Sequence, residues 1–210
     1  MLKRIITELR EHAPFTAFGA LTGILILILF HNISSGVSYD LFYIFHPLHV
    51  LFSALTTAAM YHRYKQKRTN LFLLLIIGYV GSVGIATLSD SIVPYLGETL
   101  LDMPHRHVHI GFIEKWWLVN PLAIIGIAFA YFKPLTKLPH FAHVLLSTWA
   151  SLFHIMMAMG ESINLFIYII VFVFLFLAVW LPCCISDIVF PLLFVRGRDN
   201  LESKTHSHVH

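Results

Sequence analysis

The chain has 210 residues and a mass of 24.0 kDa, with 58% apolar residues, 12% charged residues and a mean hydropathy of +0.77. Soluble domains carry roughly a quarter charged residues, so this chain has too little charge to cover a water-facing surface, and a soluble fold is excluded. The formal charge of +3 gives no footing for a nucleic-acid partner, and two adjacent cysteines, Cys183 and Cys184, cannot build a disulfide framework.

A membrane-spanning helix needs about 20 mostly apolar residues, and six stretches meet or approach that length. They run over Phe15–Phe30, Leu41–Tyr61, Asn70–Ile92, Trp116–Phe132, His140–Met159, and from Asn164 through Pro182 to Val195. The first lacks a small-residue cleavage site and is followed closely by a second span, so it reads as a retained helix rather than a signal peptide. Orientation follows from lysine and arginine. With six spans, Lys3, Arg4, Arg10, Arg63, Lys65, Lys67, Arg68, Lys133, Lys137, Arg196, Arg198 and Lys204 fall on one side, and Arg106 and Lys115 on the other. Both termini are therefore expected in the cytoplasm, in an integral protein of a prokaryotic inner or plasma membrane.

Two segment pairs repeat. His46-Pro-Leu-His-Val-Leu-Phe-Ser53 matches His140-Phe-Ala-His-Val-Leu-Leu-Ser147, 94 positions on, and Ser89-Asp-Ser-Ile-Val-Pro94 matches Ser186-Asp-Ile-Val-Phe-Pro191, 97 positions on. A weaker match aligns Glu11 and Gly23 with Glu114 and Gly126. Matching polar motifs in the same order at nearly equal offset predicts a duplication, with residues 1–98 as the first copy, 99–197 as the second and 198–210 as a flexible histidine-containing tail. Three helices per copy is an odd number, so the second copy enters the membrane from the opposite side. The expected fold class is an all-α integral membrane protein of six transmembrane helices in two inverted-topology three-helix repeats.

Fourteen histidines stand against eleven carboxylates, and ionisable groups within spans are functional candidates. Residues at i and i+3 share a helix face, so His46 with His49, and His140 with His143, each direct two imidazoles at one point. Neutral imidazole is the commonest transition-metal ligand, and an added carboxylate gives a mixed nitrogen and oxygen set suited to zinc, iron or manganese. Topology assigns Asp90 and Glu114 to the first pair, on the outer side, and Asp187 to the second, on the inner side. His105, His107 and His109 are possible further outer ligands, and Glu11 and His12 possible inner ones. Sequence leaves open whether the two clusters stay separate or converge. The bland alternatives are histidines at headgroup level, and a Ser-Asp-x-x-x-Pro segment that serves only to end a helix. His62 and His154 read as interfacial or packing histidines, and Cys183 and Cys184 as small fillers.

These residues predict a divalent transition-metal transporter with metal ion and membrane lipid as partners, and a homodimer is a further possibility. The alternatives are a membrane-embedded metalloenzyme, a lipid hydrolase or oxidase using the same ligands, and a non-catalytic membrane subunit. No His-Glu-x-x-His motif, serine nucleophile pairing or Cys-x-x-Cys-His haem attachment is present, and no catalytic residue can be assigned.

Overall fold

The computed structural model describes residues 2–65, 70–134, 137–160, 165–191 and 193–194, without the side chains of residues 2–5, 7, 8, 11, 137, 138, 184, 187 and 188. Among the described residues there are helices and no strand. Helix α1 covers Leu2–Phe30, α2 covers Ser35–Tyr64 and α3 covers Leu71–Leu100. After a single turn at Gly111–Glu114 come α4 (Trp116–Phe132), α5 (Lys137–Ala158) and α6 (Leu165–Cys184). Local chemistry sets two of the starts. Ser34 accepts from the Val37 N–H at 3.3 Å, and Asn70 Oδ1 accepts from Phe72 and Leu73 at 2.9 and 3.4 Å, so both helices begin with orphan N–H groups satisfied.

Among the described residues, five helices are long and apolar enough to cross a membrane: His12–Phe30, Ser35–Tyr64, Leu71–Leu100, Pro139–Ala158 and Leu165–Cys183. The remaining stretch expected to span, Trp116–Phe132, forms an apolar helix of 17 residues. The third stretch does not end near Ile92 as its motif suggested. It continues to Leu100 through two π-helical segments, Val80–Gly84 and Leu88–Ile92. A third π-helical segment, Ile185–Val189, extends α6.

Two of these wide turns hold the repeated Ser-Asp motifs, and proline explains why. Pro94 and Pro191 each stand four positions after the motif aspartate, where a proline ring removes the hydrogen bond to that residue's carbonyl and crowds it. Widening the turn relieves the clash without ending the helix.

α2 and α5 form the centre. In their most apolar windows 67% and 72% of residues are buried, against 28% for both α1 and α6. The central pair runs antiparallel: Phe42 lies 5.4 Å from His154, Phe45 5.5 Å from Phe153, and His49 5.8 Å from His143, between ring centroids. α4 packs on α2, and α1 packs on α5 and α6. Close approach is set by small residues, as it is in membrane helix bundles. A Cβ on Gly126 of α4 would collide with the Leu51 carbonyl oxygen of α2, and one on Gly23 of α1 would lie 3.2 Å from Leu175 of α6.

Candidate functional site

The π-helical turn of α3 directs Asp90 into the bundle, where its carboxylate is fully buried. Oδ2 accepts from His46 Nδ1 at 2.9 Å and His49 Nδ1 at 2.7 Å, and Oδ1 accepts from Ser89 Oγ at 2.6 Å and Ser147 Oγ at 2.7 Å. Two donors on each oxygen satisfy a carboxylate. The expected convergence of His46 and His49 on one point is therefore present, with Asp90 at that point. Because both Nδ1 atoms face a carboxylate, each donates to it, and each Nε2 is turned away from it. Among the described residues those buried Nε2 atoms have no hydrogen-bond partner. Fixing Nδ1 on a carboxylate while presenting Nε2 is how proteins orient metal-binding imidazoles. Asp90 thus bonds both imidazoles directly, where the sequence suggested that it joins them around a metal ion.

Flat contacts hold each ring. His46 stacks on Phe42 at 5.1 Å with an interplanar angle of 11°, and a Cβ on Gly111 would collide with its Nε2. His49 stacks on His143 at 5.8 Å, also at 11°. The two His-x-x-His pairs therefore meet, the first from α2 and the second from α5. Ser147, in the second pair's motif, hydrogen-bonds Asp90 of the first half. Inward from His143 the imidazoles continue to His140 at 5.1 Å and to His12 at 4.1 Å. The side chains of Glu11 and Asp187 lie outside the described residues.

Glu114 does not join Asp90. It closes a second cluster at the end of the bundle that carries the 101–115 connection, where one ligand atom each from His107, His109 and Glu114 lies within 4.8 Å of the others. Tyr43 donates to Glu114 Oε2 at 2.5 Å, His109 Nδ1 meets the same oxygen at 3.2 Å, and the Ile110 N–H donates to Oε1 at 3.1 Å. Burial pushes the Glu114 pKa up, but these hydrogen bonds and the His109 charge outweigh it, and the carboxyl titrates below its ordinary value. Burial drives His109 below the ordinary histidine value, against the pull of Glu114. A neutral imidazole beside an ionised carboxylate is the protonation state a metal ligand set requires. His105 is exposed and outside this trio, with its backbone N–H 3.4 Å from the Ala158 carbonyl.

Four residues were given no part in a site by the sequence: Tyr43 on Glu114, Ser147 on Asp90, and a buried pair, read only as packing on the His154 side, in which His154 Nδ1 lies 2.7 Å from Glu98 Oε1. Glu98 carried a usable signal, being a carboxylate in an apolar stretch, and Ser147 carried one in closing the repeated His-x-x-His segment. Tyr43 carried none, because hydroxyls are common in such helices. His154 links the two clusters. Its ring lies 5.5 Å from His109 and 5.4 Å from Phe42, which in turn stacks on His46. From His107 to His12 the imidazoles form a series with two interruptions, Phe42 between His154 and His46, and Asp90 between His46 and His49. No protein-family model matches the chain, and no curated protein or solved structure matches it.

Proposed function

We propose that this protein is a small integral membrane transporter for a divalent transition metal such as zinc, iron or manganese, built from two inverted-topology three-helix repeats. The observation that carries the reading is the meeting of both His-x-x-His pairs at the α2–α5 crossing, around Asp90. His143 stands 94 positions after His49, the same offset that separates the two motifs. An antiparallel crossing at repeat-equivalent residues implies a two-fold axis across the helices, which in a bilayer lies in the membrane plane.

Further pairs obey the same exchange. Ser151 Oγ donates to the Ser89 carbonyl at 3.0 Å, and Thr57 Oγ1 lies 3.0 Å from Ser186 Oγ. Ser151 is the counterpart of Thr57, and Ser186 that of Ser89. The π-helical segments at Leu88–Ile92 and Ile185–Val189 are likewise 97 positions apart.

In this reading His107, His109 and Glu114 receive the ion outside, and His46 and His49, oriented by Asp90, hold it at the centre. His143, His140 and His12 lead it inward, with Asp187 and Glu11 as carboxylates of the second copy. An Nε2 lone pair takes a proton or a metal ion but not both, so metal and protons compete for these imidazoles. Both termini lie in the cytoplasm. Metal analysis of detergent-purified protein, followed by Zn²⁺ uptake into proteoliposomes, tests the proposal. Bound metal and flux that is lost in a His46→Ala, His49→Ala variant are expected, whereas absence of bound metal near neutral pH overturns it. A second reading, a membrane metalloenzyme acting on a lipid, is favoured by the two-histidine, one-carboxylate character of the outer trio, a set that suits iron. Turnover of lipid by the Fe²⁺-loaded protein without metal flux would select it.

A further inference from the structure

The single turn Gly111–Glu114 touches both clusters. Its last residue, Glu114, accepts from Tyr43 and belongs to the outer trio. Its first, Gly111, is buried against the central histidines, where a Cβ would collide with Nε2 and Cδ2 of His46. The two contacts are matched in register. Tyr43 and His46 stand at i and i+3 on α2, and Gly111 and Glu114 stand three apart on the turn, so one face of the turn covers one face of α2.

This cover closes the centre from the outer side. His46 is fully buried, with Phe42 stacked on its ring and Gly111 seated at the Nε2 side. A metal ion bonds an imidazole nitrogen at about 2.0–2.1 Å and needs room for its other ligands, and the turn fills that side of the ring. It is held to α2 by the Tyr43 hydroxyl on Glu114, and to α4 by Asn120 Nδ2 on the Phe112 carbonyl at 3.3 Å. Ile110 and Lys115, which flank it, have non-helical backbones, so the turn is tied into no longer helix on the Ile110 side and is kinked away from α4 at Lys115. Oε2 of Glu114 is already engaged by both Tyr43 and His109. Two partners fill a carboxylate oxygen, so an ion that takes Oε2 displaces one of them.

We propose that the Gly111–Glu114 turn is a gate between the outer trio and the central histidines, closed by Gly111 on His46 and latched by Tyr43 on Glu114. Its part in metal movement rests on the reading of the chain as a transporter, whereas the occlusion of His46 does not. Ion capture and the latch share one carboxylate, so occupation of the outer trio loosens the cover of the centre.

Labelling with diethyl pyrocarbonate, which attacks an imidazole nitrogen, tests the gate on the metal-free full-length protein in detergent, with mass spectrometry reading each histidine separately. In the wild type the exposed His107 is expected to label readily and His46 slowly. Tyr43→Phe removes only the latching hydroxyl and should raise labelling of His46 about tenfold or more, the factor implied by one hydrogen bond to a charged acceptor. Gly111→Ala should raise it too, because Phe42 and Asp90 fix the ring and the turn must yield. His12 and His140, beyond His143, should label as in the wild type. Unchanged labelling of His46 in both variants, or a rise shared by His12 and His140, would overturn the gate. No metal enters the measurement, so a working gate in a protein that carries no Zn²⁺ would sink the transport reading alone.

Discussion

Asp90 accepts four hydrogen bonds at a depth where little else can replace them. An asparagine there offers one acceptor oxygen, and its NH₂ group faces either the two imidazole N–H groups, which cannot accept, or the two serine hydroxyls, which must give up the bonds they donate. Leaving a buried donor unsatisfied costs about 1–3 kcal/mol, and the imidazoles lose the anion that orients them. Asp90→Asn is therefore expected to lower the melting temperature in detergent and to weaken Zn²⁺ binding roughly tenfold or more, about 1.4 kcal/mol. A variant with wild-type affinity by calorimetry would mean that the motif serves only the helix.

At the outer cluster the two displaced pKa values act in the same direction. His109 titrates below its ordinary value, so the unfolded chain binds its proton first, and stability declines as pH falls below about 6.5. Glu114 also titrates below its ordinary value. Its contribution is intact above the ordinary carboxylate range and is lost as pH falls through the lowered value. Metal competes with the same protons. Zn²⁺ affinity at this site should hold steady through the ordinary histidine range and fall only as pH drops through the lowered His109 value, and affinity that rises on acidification would contradict the ligand assignment.

Helix contacts depend on where side chains are missing. Gly126 lets α4 lie against the backbone of α2 at Leu51, and no side-chain rotation can make room for a methyl group against a carbonyl oxygen. Gly84, in the first π-helical segment of α3, has nothing within 4 Å of an added Cβ. Gly126→Ala should thus cost about 1–3 kcal/mol by overpacking, while Gly84→Ala should be neutral or mildly stabilising through helix propensity. Thermal unfolding of the two variants side by side checks the pair. Equal melting temperatures would mean that α4 does not seat on α2 through Gly126. The proline-linked π-helical turns make a related point: Ser-Asp-x-x-x-Pro widens a helix that continues, and it is the widened turn that carries Asp90 into the bundle.

The arrangement of six helices makes its own prediction about sidedness. With Cys183 and Cys184 replaced, single cysteines at Lys65 and Lys133 should be labelled by an impermeant reagent from one side of the membrane, and one at Arg106 from the other. Labelling of all three from one side would break the parity on which the proposed inverted repeat depends. The 17-residue α4 is the sensitive element here, since its length is at the lower limit for a span.

The lengths of the apolar stretches determined that the chain is built from long apolar helices, and the bounds of Trp116–Phe132 were legible because the flanking lysines mark them. Both His-x-x-His pairs and both Ser-Asp motifs were also legible, since polar groups stand out against an apolar background. What sequence left unread follows from that same background. A helix facing lipid on one side and protein on the other is apolar on both, so periodicity could not reveal that α3 runs to Leu100 or which faces meet. Pairings such as Tyr43 with Glu114, Ser147 with Asp90 and His154 with Glu98 join residues 56 to 71 positions apart. Only tertiary packing decided that the two histidine pairs meet across one helix crossing, and that Asp90 is saturated by donors. Residue identity fixes what a side chain can bond, while the partner it finds depends on helix tilt and approach, which are set by the small residues between helices.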